Sequence, residues 1–308
     1  MVTVLAGGTG GAKLARGMLD TVGPGELVVV ANTADDTEVH GVHVSPDPDL
    51  ITYWLADLID ERGWGIAGDT WQVMTALEDA GRPVWFRLGD RDLAMCLIRT
   101  ELLRSGARLT DAHAAVTRAA GVAARVLPMS DDRVRTRVRT AGRWRDFQEF
   151  MSVDRAATPI EAVDFEGAAE ARPTEEVLDG VAQSEAVVIG PSNPVVSIGP
   201  MLALPGMRDA LRDSPAPVVA VSPFVEGRAV KGPTEPFMDW AGLPLGVEGV
   251  LAAYEGLLDG VVADEQPSGG ATPALVTDTL MDSAEARRRV AAETVNFARA
   301  LSRGRGGR

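Results

Sequence analysis

The sequence predicts an α/β protein built on a mostly parallel β-sheet, and three observations lead there. Five short runs, Val2–Ala6, Leu27–Ala31, Ala186–Ile189, Val218–Val221 and Gly260–Ala263, are apolar but for Thr3 and rich in valine, the pattern of strands covered on both faces. The first run passes through a glycine-rich turn into apolar residues at helical spacing, so a helix joins it to the second run as a βαβ unit. Polar turn residues follow the runs, on the side where open α/β sheets hold ligands.

The first junction reads Gly7-Gly8-Thr9-Gly10-Gly11-Ala12-Lys13, with Leu14, Ala15, Met18 and Leu19 marking the helix. Glycine lets backbone N–H groups converge, and a helix N-terminus adds about half a positive charge. A dinucleotide fingerprint starting at Gly8 needs glycine where Lys13 stands, and a P-loop needs Gly-Lys-Ser/Thr where the chain has Ala12-Lys13-Leu14. What remains is a phosphate cradle of Gly8, Thr9 and Gly10 with Lys13 one turn into the helix, set against the plainer reading of an ordinary strand-to-helix turn.

The second run ends in Asn32-Thr33-Ala34-Asp35-Asp36, expected beside the glycines. Residues 41–49 carry Asp47 and Asp49 in an extended turn held by Pro46 and Pro48; such a pair suits a hard cation or a hydroxyl, though Asp beside Pro is also ordinary turn chemistry. Residues 50–59 read as an amphipathic helix, and Asp69-Thr70 as the cap of a helix over 71–80. A short strand over 85–88 then ends in Gly89-Asp90-Arg91-Asp92. There Asp92 caps a helix over 93–104, leaving Asp90 and Arg91 to a ligand or to a salt-bridged loop. Thr110 caps the next helix, with His113 on its exposed or partly buried side; His40, His43 and His113 lack metal-ligand spacing.

Arg133, Arg135, Arg137 and Arg139 alternate with Val134, Thr136 and Val138, and Ala141-Gly142-Arg143 turns this strand into a partner running to Phe147. It is either a lid over an anionic ligand or a solvated edge strand guarded by charge. Residues 158–176 are Glu-rich, a smaller subdomain or a connector. After Ala186–Ile189 the turn Gly190-Pro191-Ser192-Asn193-Pro194 mirrors the first one, and Ser192, Asn193 and Ser197 offer neutral donors to a nucleotide's phosphates or sugar. Asp282 or Ser283 caps a closing helix to about Leu301, with a flexible tail from Ser302.

With 308 residues, 45% of them hydrophobic, the chain can bury a full core as one large α/β domain or two smaller ones. No apolar run approaches the ~18 residues of a membrane span, and no basic n-region precedes the first strand, so a cytoplasmic protein with no membrane partner is expected. The single cysteine, Cys96, reads as a buried structural thiol in a reducing compartment. A formal charge of −14 excludes a duplex nucleic-acid partner of the usual basic kind and obliges an anionic ligand to find local cations. Of 30 basic residues only Lys13 and Lys231 are lysine.

Several stretches, in this order, resemble the 2-phospho-L-lactate transferase family of coenzyme F-420 biosynthesis. They are Gly7-Gly8-Thr9-Gly10-Gly11-Ala12-Lys13, Asn32-Thr33-Ala34-Asp35-Asp36, Pro46-Asp47-Pro48-Asp49, Trp64-Gly65 with Asp69-Thr70, Leu88-Gly89-Asp90-Arg91-Asp92, Leu127-Pro128-Met129-Ser130-Asp131-Asp132, and Gly190-Pro191-Ser192-Asn193-Pro194 with Ser197-Ile198-Gly199-Pro200. The resemblance implies a Rossmann-like, mostly parallel sheet over 1–125 and 180–308 that binds nucleotide and deazaflavin. A smaller subdomain with a β-hairpin is expected at 126–179, and the assembly as a homodimer. It further implies a transferase that moves a phospholactyl or phosphoenolpyruvyl group from a guanylylated diphosphate donor to the terminal ribityl hydroxyl of 7,8-didemethyl-8-hydroxy-5-deazariboflavin, releasing GMP, with Mg2+ as cofactor.

Carried over, Asp49 and Arg87 fall at deazaflavin-binding positions. Asp49 and Asp36 are expected to be catalytic and to hold the metal, with Gly8, Thr9, Gly10, Lys13, Asn32, Asp47, Asp90, Arg91, Ser192, Asn193 and Ser197 also binding substrates. The chain departs from the family's Cys-Pro-Asp-Leu-Asp-Thr at Ser45, Pro48 and Leu50. Two other readings compete: a regulatory protein that binds a nucleotide-sugar without transforming it, and a nicotinamide dehydrogenase, which Lys13 opposes.

Overall fold

The computed structural model describes residues 1–156 and 159–305. In chain order its strands are β1 (Val2–Ala6), β2 (Leu27–Ala31), β3 (Thr37–Val39), β4 (Val42–Val44), β5 (Arg125–Pro128), β6 (Arg135–Thr140), β7 (Arg143–Asp146), β8 (Ala162–Glu166), β9 (Ala186–Ile189), β10 (Val218–Val221), β11 (Phe224–Val225), β12 (Arg228–Ala229), β13 (Gly260–Ala263) and β14 (Ala274–Val276). The helices are α1 (Gly8–Val22), α2 (Pro46–Leu55), α3 (Gln72–Asp79), α4 (Asp90–Arg104), α5 (Leu109–Ala119), α6 (Phe147–Ser152), α7 (Glu175–Gln183), α8 (Gly199–Ala203), α9 (Met207–Arg212), α10 (Thr234–Trp240), α11 (Val247–Ala253) and α12 (Ala284–Arg305). None of them is long and apolar enough to cross a membrane.

Seven strands form one parallel sheet in the order β14-β13-β10-β9-β1-β2-β5. The chain moves outward from β1 to β2 and β5, then crosses back to lay β9 on the other side of β1, with Val2 level with both Leu27 and Ala186. The strand order therefore reverses between β1 and β9, the point where such sheets bind ligands beyond the strand ends. Successive residues of β1 feed opposite layers: Leu5 joins Val30, Val187 and Ile189 in one core, while Val4 joins Val29, Val188 and residues of α1 and α12 in the other. Burying each such side chain is worth about 1.5–3 kcal/mol, which is why these runs are apolar except at Thr3, whose buried hydroxyl donates to the Gly180 carbonyl at 2.9 Å.

Several local expectations are corrected. Helix α1 begins at Gly8 rather than near residue 12, so the glycines form its first turn. Asp47 and Asp49 lie in the first turn of α2, not in an extended turn: Pro46 and Pro48 occupy positions whose N–H would have no helical partner anyway. Residues 85–88 form no strand. The caps exchange places, since Asp69 accepts from Arg91 N (2.9 Å) and Asp92 N (3.1 Å) of α4, while Asp90 accepts from Gln72 N and Val73 N (both 3.1 Å) of α3. Thr110 sits inside α5, where Asp131 accepts from its N–H and its hydroxyl, both at 2.8 Å. His113 is fully buried.

Strands β7-β6-β8 make a separate antiparallel sheet within 126–179, turned at Ala141 (φ 47°) and Gly142 (φ 71°). The arginine strand β6 is its centre rather than an edge, because part of the Glu-rich stretch pairs with it as β8. Two of its three arginines are neutralised by neighbours, Arg137 by Asp146 at 2.8 Å and Arg139 by Glu161 at 3.4 Å, while Arg135 Nη1 donates to the Val134 carbonyl at 2.7 Å. Cys96 is buried beside α3 in a small core with Met74 and Leu88. Ser283 Oγ accepts from Ala286 N (3.1 Å) at the start of α12, which continues past Leu301 to Arg305; the rest of the expected tail, 306–308, and Thr158 lie outside the described residues.

Candidate active site

The turns after β1 and β9 are packed into each other, and glycine is what permits it. A Cβ on Gly10 would lie 2.0 Å from the Pro191 carbonyl oxygen, and Gly8 takes the left-handed φ of 63°. Gly7 N donates to Ser192 Oγ at 3.1 Å, tying the two turns together. Asp47 holds the cradle from the α2 side, accepting from Gly8 N at 2.8 Å and from Asn32 Nδ2 at 3.1 Å. Asp47 takes the Gly8 N–H, and the next two residues of the first turn of α1, Thr9 and Gly10, line the space above it.

That space is a cleft of about 390 Å³. It is lined by Gly8, Thr9, Gly10, Lys13, Asp47, Ser192, Asn193 and Ser197 of the residues expected from sequence. Lys231, on the loop after β12, lines it too, so both lysines of the chain meet in one place. Burial pushes the Lys13 ammonium below its ordinary value, and Arg287 and Lys231 push it further down. Two lysines lining one cleft in an acidic protein form a seat for an anion. The Asn193 side-chain oxygen caps the following turn by accepting from Val195 N (2.9 Å) and Val196 N (3.2 Å), while its buried Nδ2 has no hydrogen-bond partner among the described residues. Phe147, Met151, Val196, Val225 and Val230 give the cleft an apolar wall.

Two acids face the seat. Burial pushes the Asp47 carboxyl up to about 6, offset in part by the hydrogen bonds from Gly8 and Asn32. Asp35 lines the cleft as well, and its buried Oδ1 accepts no hydrogen bond from the described residues. Burial, then the nearby Asp47 charge, pushes its carboxyl well above the usual range. Sequence reasoning quoted Asp35 only as part of a motif and Lys231 only as a landmark. The signal available for Lys231 was its rarity among 28 arginines.

The other expected residues lie elsewhere. Asp36 is occupied on both oxygens, by Ser45 Oγ at 2.7 Å and His43 Nε2 at 2.9 Å. Asp49 points away from the cleft into a bidentate pair with the fully buried Arg99, whose Nη1 is 3.0 Å from Oδ2. Asp92 and Cys96 bring ligand atoms within 4.8 Å of Asp49 and of each other, but Arg99 takes both Asp49 oxygens and Tyr53 Oη donates to Asp92 at 2.7 Å. This group is an ion-pair network fastening α2 to α4. Arg87 pairs with Glu78 and lies 5.6 Å from the Trp71 ring; Asp90 caps α3; Arg91 Nη1 donates to the Ala67 carbonyl at 3.2 Å. Asn32 stands one layer behind the cleft, orienting Asp47.

Comparison with known proteins agrees with this architecture. A family model described as 2-phospho-L-lactate transferase CofD matches residues 2–293. A phosphoenolpyruvate transferase of Kitasatospora aureofaciens is 41% identical over 271 residues, covering 85% of this chain and 84% of its own length. A 2-phospho-L-lactate transferase of Methanosarcina mazei is 38% identical, covering 94% of this chain and 97% of its own. One from Methanocaldococcus jannaschii is 34% identical over 98% and 99%. Among solved structures, protein BH3568 of Bacillus halodurans superposes with a TM-score of 0.56 at 17% identity, covering 94% of this chain and 89% of its own; that likeness is one of fold.

Proposed function

The chain belongs to the 2-phospho-L-lactate transferase CofD family, a family of transferases, and on that premise we propose that it acts in coenzyme F-420 biosynthesis. Its reaction moves a phospholactyl or phosphoenolpyruvyl group from a guanylylated diphosphate donor to the terminal ribityl hydroxyl of 7,8-didemethyl-8-hydroxy-5-deazariboflavin. The ribityl oxygen attacks the phosphorus bearing the acid, the bond from that phosphorus to the bridging oxygen breaks, and GMP leaves. One observation carries the reading: the glycine cradle, both lysines and a buried acidic pair converge on a single cleft at the switch point of the sheet.

Phosphoryl transfer asks for positioning and charge neutralisation more than for covalent catalysis. The N–H groups of the cradle, Lys13 and Lys231 bind the diphosphate, and Asn193 Nδ2 offers a further donor. Asp35 and Asp47 suit magnesium better than Asp36 and Asp49, because both line the cleft, which the other two do not, and Asp35 has an oxygen without a hydrogen-bond partner among the described residues. Bound there, the ion would supply charge neutralisation for the transferred group. The hydroxyl proton is taken up by water or by the phosphate of the departing GMP, since carboxylates that hold the ion are not free to accept it.

The test is product formation. Purified chain, Mg2+, the deazaflavin and either synthetic donor should give a deazaflavin adduct by mass spectrometry, the two acids differing by two hydrogens. No adduct from either donor rejects the proposal.

A further inference from the structure

We propose that Arg287 of α12 is a positioning residue for the donor's diphosphate: its guanidinium occupies the Trp54 ring on which the Lys13 ammonium would otherwise settle, and so turns Lys13 toward the cleft. The inference rests on the nucleotide-donor reading above and deepens it.

Helix α12 carries three consecutive arginines, and two of them have carboxylates: Arg288 lies 3.9 Å from Asp20, and Arg289 lies 3.1 Å from Asp278. Arg287 makes no ion pair among the described residues; its guanidinium carbon lies instead 5.1 Å from the centroid of the buried Trp54 ring. The backbone beneath it is fixed, since a Cβ on Gly17 of α1 would come 2.2 Å from the Arg287 carbonyl oxygen. A half-buried guanidinium is thus held without a counter-ion, which asks what it serves.

Lys13 meets the same ring. Its ammonium nitrogen is 6.0 Å from the Trp54 centroid, at the outer limit of a cation–π contact, while the residue also lines the cleft. Like charges on one ring repel, and a guanidinium, planar and weakly hydrated, is the better of the two at stacking. The ammonium is left at the margin. Arg287 does not line the cleft, so its effect on a bound diphosphate passes through Lys13.

The charges around Lys13 agree with this. After burial, Arg287 does most to lower its affinity for a proton, ahead of Lys231 on the loop after β12, and Asp282, just before α12, opposes both. The acids lining the same cleft are Asp35, after β2, and Asp47, on α2, while Asp57 beyond α2 is taken by Arg16 at 2.8 Å. An ammonium short of water and repelled by two cations gains most from an anion, which a diphosphate on the glycine cradle supplies.

The experiment reads Lys13 directly. The chain has only two lysines, so reductive methylation with isotope-labelled formaldehyde, which keeps the charge, gives an NMR spectrum in which Lys13 is assigned by its loss in Lys13→Arg. In the full chain Lys13 should release its proton below the ordinary lysine range. Arg287→Gln should move that titration up, whereas Arg288→Gln, which removes the same charge one residue away, should leave it in place. By calorimetry near neutral pH, Arg287→Gln should bind GDP about 3–10-fold more weakly, Arg287→Lys should recover most of the loss, and Arg288→Gln should match the wild type. A Lys13 titration unmoved by Arg287→Gln, an equal shift from Arg288→Gln, or undiminished GDP affinity in Arg287→Gln overturns the inference. A wild-type chain without affinity for GDP defeats the nucleotide-donor reading itself, and this inference with it, before any substitution is made.

Discussion

Gly10→Ala probes the packing of the two turns directly. The added Cβ would lie 2.0 Å from the Pro191 carbonyl oxygen, whereas ordinary contact begins at 3.4 Å, so about 1.4 Å of separation must be found. Both groups are backbone, one in the first turn of α1 and one in the turn after β9, and neither can rotate aside as a side chain would. Overpacking of this kind costs about 1–3 kcal/mol. Catalysis should suffer more, since about 1 Å of misplacement costs roughly 100-fold in rate. The assay pairs thermal denaturation with kcat/KM for the transfer, and Gly25→Ala, whose Cβ meets nothing within 4 Å, is the control. The expected result is a Tm lower by several degrees with a kcat/KM loss of about 100-fold. Gly10→Ala matching the control in both would show that the turns do not press together and would refute the cradle as described.

Lys13→Ala or Lys231→Ala removes one charge-assisted contact, about 1.5–3 kcal/mol, and should weaken guanine nucleotide binding about 10–100-fold with little change in deazaflavin binding; calorimetry with each ligand separates the two. Asp49→Asn strips Arg99 of its charged partner in the core and should cost about 3–5 kcal/mol in urea denaturation, whereas a loss under about 1 kcal/mol would remove the pair from the structural account. Asp47 carries a folded pKa of about 6 against an ordinary 3.8, so the folded state holds its proton more tightly than the unfolded one. Its contribution to stability is present in full below about pH 4 and is lost as pH rises through about 6; between pH 7 and 5 the wild type should gain stability on acidification that Asp47→Asn does not gain. Magnesium affinity should run the other way, tightening as pH rises through the same window, because only the ionised carboxylate binds.

The central strands were legible because a strand buried on both faces is almost wholly apolar, Thr3 of β1 being the exception: β1, β2, β10 and β13 begin and end where their apolar runs do. Strand β5 hides behind Arg125 and Pro128, β14 has three residues, and β8 alternates apolar residues with Asp164 and Glu166. The cradle was legible because glycine is hard to replace where backbones touch. The acids were not, since Asp35 and Asp36 are chemically alike and only the turn after β2 decides that Asp35 meets the cleft while Asp36 meets His43 and Ser45. Pro48 misled for a local reason: its bias toward extended backbone yields where the first helical turn needs no N–H. Lys231 comes from a loop far along the chain, and no local pattern announces that it will stand beside Lys13.

The most direct measurement is a crystal structure of the chain with GDP and Mg2+. The account requires the phosphates on the N–H groups of Thr9 and Gly10, with Lys13 and Lys231 in contact and the ion at Asp35 and Asp47. Phosphates bound away from the glycine turn, or an ion held by Asp36 and Asp49 instead, would contradict it.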